Sequence, residues 1–126
     1  MDDSGFTLIE VLIVVGILAL LLVILLPSFS GATRDTNRRA AQLHAQSVRL
    51  ALNTHLAVNP QLSSASLGTV DCASAGTMNG TDVVAGNTGN GWEAGPDGAT
   101  CTAVPLATRT MRVTVRTAGG QEVTAP

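Results

Sequence analysis

From Val11 to Leu26 every position is apolar or glycine. Extended back to Phe6 the run covers 21 residues, with Thr7 and Glu10 its only polar members. As a helix, at about 1.5 Å per residue, it is about 31 Å long, close to the ~30 Å hydrocarbon core of a bilayer. Leu, Ile and Val cover its whole circumference, whereas a soluble helix shows a single apolar stripe. At Pro27 the pattern changes, and Ser28 to Gly31 brings hydroxyls and a glycine. From Ala32 a helical period resumes. Ala41, Ala45, Val48, Leu52 and Leu56 recur at spacings of four, three, four and four, with Arg34, Arg38, Gln42, Gln46, Arg49 and Asn53 mostly off that stripe. Asn59-Pro60 ends it. The simplest reading is one long helix from about Phe6 to about Val58, kinked near Pro27, where a backbone donor is missing. The alternative is two helices joined at Pro27 to Gly31.

Beyond Pro60 the pattern shortens. Gly68 to Gly98 holds eight glycines in 31 residues, interleaved with Asn, Asp, Ser and Thr, which reads as turns and long loops around short strands such as Thr81 to Val84. Trp92 argues for order there, as a core or groove anchor. Thr110 to Arg116 alternates: Met111, Val113 and Val115 face one way, Thr110, Arg112, Thr114 and Arg116 the other. Thr117-Ala118-Gly119-Gly120 turns the chain, and Gln121 to Thr124 returns as a partner strand. The dry face of this hairpin is the natural partner of the Ala41 to Leu56 stripe. The expected fold is therefore α+β: a long N-terminal helix, apolar in its first half and amphipathic in its second, packed on a small antiparallel sheet.

Composition sharpens this picture. The chain has 126 residues, room for one small domain, and 45% of them are hydrophobic, concentrated in the early run. Phe6, Phe29 and Trp92 are its aromatic residues. All seven basic residues are Arg against nine acids, for a net charge of −2, which opposes a strongly basic nucleic-acid binder. Cys72 and Cys101 suit one disulfide, worth roughly 3 to 4 kcal/mol for a loop of about thirty residues, a large share for a domain with so few aromatics. Such a bridge implies an oxidising compartment; two buried free thiols are the alternative. No Cys-x-x-Cys pair or matched His spacing supports zinc.

Candidate chemistry is sparse. His44 and His55 are eleven residues apart, on one helical face but about 16 Å from each other, too far to share an ion. Asp82 and Asp97 in glycine-rich loops lack the spacing of a calcium loop. Asn79-Gly80-Thr81 fits an N-glycosylation acceptor pattern that is common by chance. Arg109, Arg112 and Arg116 form a short basic strip without interleaved aromatics, weak support for DNA contact and better read as a solvated sheet face. No nucleophile, base and orienting group assemble, and no phosphate loop appears. The sequence therefore points away from an enzyme, with no catalytic residue, metal or cofactor expected.

Glu10 remains. A carboxylate at membrane depth costs a few kcal/mol unless paired, so it marks a functional position; the bland reading places it near enough to one end to reach the interface. A cleaved secretory signal fits poorly, since Met1-Asp2-Asp3-Ser4-Gly5 is acidic and no A-x-A site follows the run. A plain single-pass anchor accounts for the length but leaves Glu10 unexplained. The segment Gly5-Phe6-Thr7-Leu8-Ile9-Glu10-Val11, followed at once by the apolar run, resembles the class III signal of type IV pilins and pseudopilins. It has a small residue before the cut, an aromatic after it, and an acid five along when Phe6 is counted first. Pro27 and Phe29 also resemble that family. The strict match covers about the first thirty residues, and the rest agrees in architecture.

The resemblance implies a specific course of events. A prepilin peptidase would cut between Gly5 and Phe6 on the cytoplasmic side, and the new Phe6 amine would be N-methylated. The apolar helix would wait in the inner membrane and then become the core of a filament, a homopolymer of such subunits, with Glu10 pairing with the Phe6 amine of a neighbour. Each is a costly isolated charge in an apolar core, and pairing offsets that cost. The expected divisions are a leader (1–5), a membrane and filament-core half-helix (6–31), an amphipathic half-helix (32–59) and a glycine-rich head (60–126). The expected role is a structural pilin in a cell-surface pilus serving adhesion, twitching motility or DNA uptake. The alternatives are a pseudopilin of type II secretion, a minor pilin, or a single-pass anchored binding domain. Two features depart from the pattern. Family leaders usually carry Lys or Arg, whereas this one carries Asp2 and Asp3. Arg34, Arg38 and Arg39, just past the run, would favour the cytoplasm by charge bias, against the orientation the motif needs. A leader longer than Met1 to Gly5 is one way to reconcile the two.

Overall fold

The computed structural model of the protein describes residues 5–125. Its elements are α1 (Leu8–Val58), α2 (Ser64–Leu67), β1 (Val70–Asp71), β2 (Gly76–Asn79), β3 (Asp82–Ala85), β4 (Thr100–Ala107), β5 (Thr110–Arg116) and β6 (Glu122–Ala125). The chain divides into two compact units, one ending at Asp35 and one beginning at Thr36.

In the first unit the apolar part of α1 is exposed on all sides, from Leu8 through Leu26 to Phe29. Pro27 lies within the helix. Its ring leaves the carbonyl four residues back without the usual helical donor. Nearby hydroxyls bond carbonyls of the same turn: Ser30 Oγ donates to Pro27 O at 3.0 Å and Thr33 Oγ1 to Phe29 O at 2.8 Å. Hydroxyls in such positions bond back to the helix when no better partner is near.

The second unit is the α+β body that the patterns predict. Ala41, Ala45, Val48, Leu52 and Leu56 are all fully buried, and Ala51 and His44 join them on the same face. The apolar side chains among them share one core with Met111, Val113 and Val115 of the sheet, and each fully buried leucine contributes about 2 kcal/mol through removal of its surface from water. The main sheet is antiparallel in the order β1-β4-β5-β6. In β5, Met111, Val113 and Val115 are buried while Arg112 and Arg116 are exposed, the expected alternation. β6 returns beside it one residue later than the sequence pattern suggested, and Thr117 N–H donates to Gln121 O at 2.9 Å to close the turn.

β2 and β3 form a separate two-stranded ribbon whose turn is Gly80-Thr81. Gly80 has φ +64°, a left-handed conformation that glycine adopts without cost. The strand expected over Thr81 to Val84 is β3, displaced by one residue. β4 was not expected. Cys101 and Ala103 face the core, but Pro105 interrupts the pattern. Pro105 is tolerated because β1 pairs no further than Ala103, and the β4–β5 register slips between Pro105 and Ala107. α2 closes this end: Ser63 caps it reciprocally with Ser66, Ser64 N–H donates to Thr108 O at 2.9 Å, and Ser64 Oγ donates to Ala107 O.

Cys72 and Cys101 form a disulfide across the start of β4. Trp92 is 1% exposed; its indole N–H donates to Ser74 O at 2.9 Å, and its backbone bonds Gly76 reciprocally at 2.9 and 3.0 Å. This approach requires glycine on both sides. A Cβ on Gly76 would meet the Trp92 ring at 2.9 Å, and one on Gly91 would meet Gly76 O at 2.0 Å.

Candidate functional site

The N-terminal segment is built around the start of α1. Gly5, Phe6 and Thr7 precede the helix, so the Gly5–Phe6 peptide lies in non-helical, exposed backbone. Phe6 is 84% exposed. A Cβ on Gly5 would meet nothing within 4 Å, so the fold itself makes no demand for glycine there. Residues 1–4 of the expected leader lie outside the described residues.

Thr7 caps the helix. Glu10 N–H donates to Thr7 O at 3.1 Å and lies 3.3 Å from Thr7 Oγ1, while Thr7 N–H and Thr7 Oγ1 each reach Glu10 Oε2 at 3.5 Å. This reciprocal arrangement is a capping box, in which the first turn's orphan donors find side-chain acceptors. It also sets a carboxylate at the positive end of the helix dipole. The Thr7-Leu8-Ile9-Glu10 spacing is the sequence signature of such a box, a second role for Glu10 beside its charge at membrane depth. Phe6, Glu10, Val11, Val14 and Val15 line a shallow apolar hollow on one side of this end. Glu10 is therefore a charged group at the rim of an otherwise apolar, uncovered rod. The helix is long and apolar enough to cross a membrane.

The remaining candidates lie in the second unit, where each has a structural partner. His44 Nε2 donates to Cys72 O at 2.9 Å and His55 Nε2 to Gly80 O at 2.8 Å, so the two histidines tie α1 to different loops. Among the described residues no group of three or more His, Cys, Asp or Glu is placed to hold a metal ion. The basic strip is dispersed in use. Arg109 Nη2 donates to Leu56 O at 2.6 Å, at the last turn of α1, and Arg116 pairs with Glu122 at 3.4 Å. Arg112 is left with no protein partner among the described residues. The cap supplied by Arg109 was not legible in the sequence, because its acceptor lies 53 residues earlier.

Residues 1–26 match the family profile described as the prokaryotic N-terminal methylation motif. That motif is the class III signal of type IV pilins and pseudopilins, so the chain has a pilin-like N-terminus, fit for membrane anchoring before assembly. No curated protein and no solved structure matches the chain.

Proposed function

We propose that this protein is a structural subunit, a type IV pilin that polymerises through α1 into a surface filament. The observation that carries the reading is the class III motif placed on an uncovered apolar helix, with its acid in the first turn. An all-apolar surface of this length suits two environments in succession, lipid and then the helices of neighbouring subunits. Prepilin peptidase removes residues 1–5 and N-methylation follows on Phe6. Residues 6–31 then serve as membrane span and filament core with a kink at Pro27, residues 32–59 as the amphipathic half-helix, and residues 60–126 as the head. During docking Glu10 pairs with the Phe6 amine of a neighbour. That pairing sets the axial register, because a misplaced subunit leaves two charges unpaired in an apolar core.

The chain waits in the inner membrane and ends in an extracellular pilus. Nothing on the sheet face adds a case for DNA contact, since two of the three strip arginines are engaged within the protein. The test is N-terminal sequencing and mass measurement of the mature chain, followed by filament purification. A start at methylated Phe6 and filaments composed of this chain are expected, with Gly5→Val uncleaved and Glu10→Ala cleaved but not assembled. A chain processed at Phe6 that never forms long filaments identifies a pseudopilin or minor pilin instead. A chain that retains Met1 and does not polymerise is a single-pass anchored domain.

A further inference from the structure

Two asparagines in the head precede glycine, Asn79 and Asn90, and the fold treats them in opposite ways. We propose that Asn79 is a site of spontaneous deamidation through a succinimide formed with Gly80, while Asn90 is held unreactive by the packing around Trp92. The reaction needs only water and hydroxide. Hydroxide removes the Gly80 amide proton, and the nitrogen attacks Asn79 Cγ. A C–N bond forms and the side-chain nitrogen leaves as ammonia. Water then opens the ring at either carbonyl, giving an aspartyl or an isoaspartyl residue, with no change of oxidation state. Glycine favours the attack because it presents no side chain and permits the backbone rotation that brings nitrogen to carbon.

Asn79 meets these requirements. It is the last residue of β2, exposed at the tip of the two-residue turn. No described residue hydrogen-bonds its side-chain amide or accepts from the Gly80 N–H, and a Cβ on Gly80 would meet nothing within 4 Å. The tip of a two-stranded ribbon opens locally at little cost. At Asn90 the nucleophile is engaged instead: Gly91 N–H donates to Asn87 Oδ1 at 3.1 Å. Gly91 also lies so close to Gly76 O that a Cβ would stand 2.0 Å from it, and the next residue is the buried Trp92. Swinging the Gly91 nitrogen toward Asn90 Cγ requires that hydrogen bond and the Gly76–Trp92 bridge to open together. The product at Asn79 has structural consequences. An aspartyl residue faces Asp82, its cross-strand partner, and like charges in that position repel. An isoaspartyl residue lengthens the main chain beside Gly80, whose carbonyl His55 holds at 2.8 Å.

The test follows the full chain in detergent at mildly alkaline pH. After reduction, cleavage before aspartate gives residues 71–81, with Asn79 (cut again before residue 79 where the aspartyl product has formed), and residues 82–96, with Asn87 and Asn90, and fragment-ion sequencing assigns each amide-to-acid conversion to its residue. The native chain is expected to convert Asn79 at least about tenfold faster than Asn90, the factor that corresponds to breaking even one of the hydrogen bonds that hold Gly91 and Trp92. In denaturant with reductant the two are expected to convert at comparable rates. Equal native rates, or Asn90 ahead of Asn79, overturn the proposal. So does a native Asn79 that stays amidated while the unfolded chain converts, or a tenfold difference that persists after unfolding.

Discussion

The carboxylate of Glu10 is engaged by Thr7 of the same chain. Both contacts from Thr7 fall on Oε2, so neither occupies Oε1, which stays available for the proposed pairing with a neighbouring Phe6 amine. In the proposed assembly, capping and docking would use different oxygens, so substitution can separate the two. Thr7→Ala is expected to fray the first turn at a cost of about 1 kcal/mol, seen as faster amide exchange at residues 8–10, while filaments still form. Glu10→Ala removes cap and charge together and is expected to abolish them. A second residue-scale prediction concerns Gly91. Its substitution by Ala sets a methyl against backbone, which cannot move as a side-chain tip can, so a loss of about 3 kcal/mol or more is expected. Denaturant melts followed by circular dichroism check it. Gly76→Ala is expected to cost less, because its clashes are with side chains.

Among the elements, legibility followed periodicity. The α1 stripe and the β5 alternation were readable because each repeats a single rule over several turns or residues, and burial followed position by position. β4 was not readable. Only Cys101 and Ala103 mark its inner face, and Pro105 argues against a strand until the β1 pairing is seen to stop short of it. β1, with two residues, and α2, with four, are too short to carry any period. The anchoring of Trp92 was legible from residue type, but its glycine neighbours were not, because close approach is a property of two distant segments. The disulfide joins two such segments, 29 residues apart. Replacing both Cys72 and Cys101 with Ala is expected to lower head stability by roughly 3 kcal/mol on the chain-entropy account. A smaller drop in the denaturant midpoint would mean that β2, β3 and the Trp92 contacts already hold the loop closed.

For the whole molecule, the two units differ in what they need from their surroundings. The second has its own core, drawn from α1, both sheets and the disulfide. The first has none, since its leucines and isoleucines are exposed. Residues 36–126 alone are therefore expected to remain soluble and monomeric without detergent by size-exclusion chromatography, and the full chain to require detergent or lipid. A head that aggregates on its own would show that the exposed Leu43 and Leu50 on α1 dominate its solubility. The class III signal was legible in seven residues because such signals are read as linear sequence, and the family profile matches residues 1–26, which include that stretch. The following hundred residues carry no comparable signature, and their architecture had to be built from patterning.

The burial of Trp92 has an optical consequence. The chain has one tryptophan and no tyrosine, so its near-ultraviolet emission comes from a single ring seated against Gly76 in the head. The spectrum is thus a one-site gauge of that seat, undiluted by other fluorophores. A red shift reports water reaching the loop closed by Cys72 and Cys101, in detergent or in lipid alike, without any label.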